Sequence, residues 1–167
     1  MTTGVSEEQF SKGMAYLSNN ELEKAVKAFE SAYNEDKENA KYMSFYGMCS
    51  ALRWGEIGFG IDLCTKAVKK EFYVPEHYIN LARVYMRAGN KKGAIIVLKK
   101  GLRIDPENDI IHEELVKLGV RKRPIIPFLN RSNPVNRFLG AFIRKTIPDF
   151  IDMIRHRQIK DEDLDKE

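Results

Sequence analysis

The residues that could do chemistry are few and scattered. Cys49 and Cys64 are the only cysteines, and neither lies in a Cys-x-x-Cys pair or beside a histidine cluster. That spacing argues against a metal site, and without a secretion signal both are expected to be reduced. A free cysteine behaves as a small hydrophobe, so both are expected in the core. His77, His112 and His156 lie far apart in the chain, and none accompanies a recognisable serine or cysteine nucleophile motif. Gly55-x-x-Gly58-x-Gly60 looks like a phosphate loop only in isolation, because no strand precedes it. Glu21/Glu23 and Glu113-Glu114 read as solvated helix faces. Asn130-Arg131-Ser132 forms a glycosylation triplet that means little without secretion. The chain is expected to be no enzyme and to need no metal or cofactor.

The elements behind these residues come from a self-comparison, since repeats of 20–50 residues define whole architectures. Gly13, Tyr16, Ala25, Phe29 and Ala32 reappear as Ala82, Tyr85, Ala94, Leu98 and Gly101, each 69 residues on. Between them lies an intermediate set: Gly47 follows Gly13 by 34, whereas Gly60, Cys64 and Ala67 follow Ala25, Phe29 and Ala32 by 35. One extra residue therefore falls between Gly47 and Gly60, and is expected in the turn near Trp54-Gly55. Small residues at Gly13, Gly47 and Ala82 and at Ala25, Gly60 and Ala94 let paired helices approach closely. Phe29 and Leu98 build the seams at helical spacing. Ser18-Asn19-Asn20, Trp54-Gly55 and Ala88-Gly89-Asn90 are turn signals, and Asp105-Pro106 separates units.

Tyr78-x-x-Leu81-Ala82-x-x-Tyr85, Gly89, Ala94-x-x-x-Leu98 and Asp105-Pro106 together resemble the tetratricopeptide repeat, a 34-residue helix–turn–helix. The resemblance covers residues 6–119. Lys12, Lys37 and Ser50 depart from the pattern, standing where leucine, proline and tyrosine are usual. The resemblance implies an all-α fold: an α-solenoid of three helical hairpins at 6–40, 41–74 and 75–108. A capping helix at 109–118 and C-terminal amphipathic helices would follow. His112, Leu115, Val116 and Gly119 begin a fourth unit, but Pro124 and Pro127 forbid its second helix.

The resemblance also implies a concave groove lined by the first helix of each unit. Its exposed positions are expected to include Phe10, Met14, Leu17, Phe45, Met48, Ile79, Arg83 and Met86. Methionines re-pack around varied ligands, so the expected ligand is an apolar or amphipathic segment of another protein. Some members of the family clamp a C-terminal carboxylate with basic and asparagine side chains. Here Phe10 and Met14 stand where that clamp would begin, and Glu76 and Asn80 replace its basic pair, which argues against it.

Charge is uneven along the chain. Residues 1–118 carry 17 basic and 17 acidic residues, 119–157 carry 9 and 2, and 158–167 carry 2 and 5. Residues 120–133 are expected to be extended, with Pro124 and Pro127 among large apolar residues. Residues 134–158 read as a basic amphipathic helical tail, and 159–167 as an acidic disordered terminus. In the tail Phe138 and Phe142 lie on an apolar face, and Arg137, Arg144 and Lys145 on others. Packing on the chain's own scaffold, a partner's groove, self-association and an anionic membrane surface all fit that tail. Nucleic acid is disfavoured because no recognised motif accompanies the charge. RKRPIIPFLNRSNPVNRFLG is similar to tails of bacterial repeat proteins, which implies a bacterial source. No run of about 18 apolar residues is present, and the start lacks a signal pattern, so the expected compartment is the cytoplasm. The expected function is a protein-interaction scaffold or adaptor. The alternative is a membrane-peripheral or self-assembling component acting through its C-terminal helix.

Overall fold

The computed structural model describes residues 3–120 and Pro134, and all that follows concerns them. The chain divides into two units, Met1–Val120 and Arg121–Glu167. The readings of the 121–133 stretch, the 134–158 tail with Phe138, Phe142, Arg137, Arg144 and Lys145, and the acidic terminus lie outside the described residues.

The first unit is seven helices in chain order: α1 (Thr3–Ser18), α2 (Leu22–Glu35), α3 (Ala40–Trp54), α4 (Ile57–Lys70), α5 (Pro75–Arg87), α6 (Lys91–Gly101) and α7 (Asp109–Lys117). Asparagines start three of them. The side chain of Asn39 accepts from the amides of Lys41 and Tyr42, that of Asn90 from Gly93, and that of Asn108 from Ile111. Each satisfies amides that the first helical turn leaves without partners. Pro75 opens α5, where its missing N–H costs nothing.

Three helices end the same way. Asn20, Gly89 and Gly119 adopt left-handed backbone, with φ of 61°, 73° and 78°. Behind each, paired backbone bonds close the last turn: Asn20 N–H to Leu17 and Glu21 N–H to Tyr16, then Gly89 to Met86 and Asn90 to Tyr85, then Gly119 to Val116 and Val120 to Leu115. This double closure is the Schellman motif. Asn20 and Gly89 are 69 residues apart, so the repeat extends to backbone conformation. Gly119 stands in the register of Tyr85, which stops α7 one turn sooner than α5.

The extra residue of the middle unit is not a longer turn. Helix α3 runs on to Trp54, seven residues past Gly47, whereas α1 and α5 stop five residues past Gly13 and Ala82. The connection to α4 is correspondingly shorter, just Gly55 and Glu56, with Gly55 left-handed at φ 78°. The turn thus absorbs no insertion; helix α3 does, because an added helical residue keeps its hydrogen bond.

Helices pair into the hairpins α1–α2, α3–α4 and α5–α6, and α3 also packs on α2 and α5. Close approach is real where glycines stand. A Cβ on Gly60 would lie 2.6 Å from the Gly47 carbonyl oxygen, and one on Gly13 would lie 2.5 Å from the Phe29 ring. Gly101 faces Ile111 and Tyr78, seating α7 on the last hairpin. One continuous core runs from Phe10 to Leu115. Cys49 and Cys64 are buried free thiols within it.

Candidate functional site

The repeat register places Met14, Met48, Arg83 and Lys117 at one position of successive first helices α1, α3, α5 and α7, with spacings of 34, 35 and 34. The structure joins the last three. The Arg83 guanidinium reaches the Met48 sulfur at 3.9 Å and a Glu114 carboxylate oxygen at 3.9 Å. Lys117 meets the same oxygen at 3.4 Å. This row changes from apolar at α1 to charged at α7.

Beneath it runs a second, drier set of contacts. The Asn80 amide donates to the Ser44 hydroxyl at 3.0 Å, and the Cys64 thiol donates to the Ser44 carbonyl at 3.3 Å. All three residues are buried. Buried polar groups must be paired in this way. The network ties α3, α4 and α5 together, and no group in it is free to act on a ligand. Desolvation pushes the Cys49 thiol up to about 12 and raises Cys64 as well. Both are therefore protonated, inert packing groups at neutral pH.

Of the eight residues expected to be exposed in the groove, Phe10, Phe45, Met48 and Ile79 are buried, which corrects that expectation. The reason is geometric. The Phe10 ring lies 5.3 Å from Phe29, 5.3 Å from Tyr42 and 5.2 Å from Phe45, so it closes the seam between hairpins. Phe45 also meets Phe29. Met48 lies under Arg83, and Ile79 joins the core. Met14 is 37% exposed, and Leu17, Arg83 and Met86 are partly exposed. These four are what a ligand could reach.

Two residues belong to this region that the sequence reading passed over or misplaced. Glu114, read as part of a solvated face, is buried and bears both cations. Ser44 was not singled out. Glu114 is 34 residues after Asn80, so the register itself could have placed it on the inner row. No such signal marks Ser44.

His77 is also buried. One ring nitrogen is 3.1 Å from a Glu71 carboxylate oxygen, and Nδ1 has no hydrogen-bond partner. His112 meets the Pro106 carbonyl at 2.8 Å. Both histidines brace turns. Among the described residues no group of three or more His, Cys, Asp or Glu could hold a metal ion.

With the geometry in place, the comparisons are direct. Residues 9–39 and 75–118 each match a model of the tetratricopeptide repeat. The chain belongs to that family. The middle unit, whose register is broken by the longer α3, falls between the two matches. No curated protein matches the chain. Among solved structures, the Arabidopsis OM64 TPR domain is 20% identical with a TM-score of 0.60, covering 71% of this chain and 97% of that one. The first TPR of Spaghetti (RPAP3), bound to the HSP90 peptide SRMEEVD, is 15% identical with a TM-score of 0.59, covering 70% and 94%. The Yersinia enterocolitica type III secretion chaperone SycD, in complex with a peptide of the translocator YopD, is 15% identical with a TM-score of 0.53, covering 68% and 86%. At these identities the likeness establishes the α-solenoid fold. The fold and family make the chain a protein-interaction scaffold.

Proposed function

We propose that this chain is a cytoplasmic adaptor, not a catalyst, and that it holds an apolar or amphipathic segment of another protein along its first helices. The observation that carries this is the chemistry of the reachable row: Met14, Leu17 and Met86 are apolar, and Arg83 is already engaged by Glu114. The solved relatives supply support of a general kind, since two of them hold peptides of other proteins. Free carboxylate capture is disfavoured by the same row. Phe10 and Phe45 are buried apolar side chains, Asn80 is spent on Ser44, and Glu76 would repel an anion. The favoured ligand lays apolar side chains over Met14 and Leu17 and turns polar toward Arg83 and Lys117.

The test uses two synthetic peptides: an amphipathic helix with an amidated C-terminus, and an acidic peptide ending in a free carboxylate. The full chain is expected to bind the first and ignore the second. Met14→Glu with Met86→Glu should weaken binding by about tenfold or more, because a carboxylate would then have to be desolvated against an apolar ligand face. Preference for the acidic peptide, or binding indifferent to the double change, would overturn the reading.

A further inference from the structure

The most exposed aromatic pair of the first unit lies away from that row. Phe72 and Tyr73, in the turn between α4 and α5, are 66% and 61% exposed. Their rings meet edge to face with centroids 5.7 Å apart. The turn is braced from below, because the Tyr78 hydroxyl donates to the Phe72 carbonyl at 2.8 Å. Two adjacent aromatics held out on a fixed tip are a standing cost in water unless something covers them.

Cations surround this tip. Lys69 and Lys70 end α4 directly before it. Lys99 and Lys100 end α6, and Arg103 follows. Gly101 faces Tyr78, whose hydroxyl holds Phe72, so the end of α6 lies at the same end of the hairpin stack as the tip. Among the described residues Lys69, Lys99, Lys100 and Arg103 make no ion pair. Three nearby carboxylates are occupied: Glu71 by His77, Glu38 by Lys70 and Asp105 by the Asn108 amide. Glu76 and Glu107 are the exposed acids closest in sequence to this group, set against five cations.

We infer that the Phe72–Tyr73 tip and its collar of lysines form a docking surface for an anionic lipid bilayer. A projecting tip has no walls to grip a peptide, whereas a flat headgroup layer meets tip and collar together. Aromatic rings settle at the headgroup level of a bilayer. Each lysine or arginine near an anionic leaflet adds about 1 kcal/mol, so several are needed and several are present. Such binding is peripheral, since among the described residues no helix is long and apolar enough to cross a membrane. This surface is separate from residues 134–158, to which the sequence alone assigned membrane contact, and from the row carrying Met14 and Arg83.

The test is flotation of the full chain with phosphatidylcholine vesicles prepared with and without phosphatidylserine. Binding is expected only with phosphatidylserine, and should fall as salt is raised. Phe72→Ser with Tyr73→Ser should lower it about tenfold, and Lys99→Gln with Lys100→Gln about fivefold per charge removed. All four residues are exposed, and unchanged circular dichroism would confirm intact folding. Position is read independently by fluorescence. Trp54 is the only tryptophan and lies at the other end of α4, a helix of 14 residues that spans about 21 Å. With Phe72→Trp in a Trp54→Phe chain, emission should shift to the blue on phosphatidylserine vesicles, while Trp54 in the unaltered chain should not respond. The inference is overturned by no binding, by equal binding to neutral vesicles, by binding indifferent to the double changes, or by an unresponsive probe at position 72. Binding of the tip to polyglutamate without binding to vesicles would assign it to an acidic protein and overturn it as well.

Discussion

Single side chains in this protein mostly secure the scaffold. Ser44 is the sharpest case, because Asn80 spends its amide on the Ser44 hydroxyl inside the core. Ser44→Ala would leave a buried donor unpaired and should lower stability by about 1–3 kcal/mol in urea titration. The thiols give a second expectation. Burial favours the protonated form of Cys49, whose value of about 12 stands above the unfolded thiol near 8.5. The folded state therefore holds that proton more tightly, and its contribution is complete below about pH 8.5 and lost progressively toward about pH 12. A thiol reagent at pH 8 should label neither cysteine in the native chain, and both should react on unfolding. The sequence disclosed the inertness of these cysteines but not the fate of the groove residues. Phe10 and Phe45 sit at positions where the family exposes polar groups, and their aromatic bulk turns them inward against Phe29. Pattern gives a residue's face; ring packing decides its depth.

At the scale of the helix, the repeat register was almost entirely legible, because small residues and turn residues recur at fixed offsets. Helix α7 falls where the sequence put a capping helix, and Gly119 accounts for its early stop. The one misreading was the extra residue, since spacing fixes an interval and cannot tell a longer helix from a longer turn. Two substitutions probe this level. Gly60→Ala would push a Cβ to 2.6 Å from the Gly47 carbonyl, and backbone cannot yield as a side chain can. The α3–α4 hairpin should lose about 1–3 kcal/mol. Gly89→Ala meets open space but must hold a left-handed φ of 73°, so its cost should be near 1 kcal/mol. Asn20→Gly, at the equivalent position, should raise the melting temperature slightly or leave it unchanged, because glycine tolerates that backbone and asparagine only partly.

Across the whole first unit, charge contributes to contact with partners more than to folding. The ion pairs among lysines, arginines and carboxylates are largely at the surface, as with Lys12–Glu8 and Lys66–Asp62. Such pairs are worth about 0–1 kcal/mol each, so strong salt should shift the stability of the scaffold only slightly. The same salt should abolish attachment through the lysine collar, and running both measurements on one preparation separates the two effects. Burial is distributed unequally as well. Helix α3 buries eleven of its residues, whereas α7 buries Ile111, Glu114 and Leu115 alone. In a stack where each layer is held by its neighbours, such inequality becomes an order of events. Amide protons of α7 should exchange with deuterated solvent first and those of α3 last. Because α7 carries Glu114, its opening would also release Arg83 from its carboxylate and change the charge that the inner row presents. The weakest helix of the unit is thus also a regulator of how cationic that row becomes.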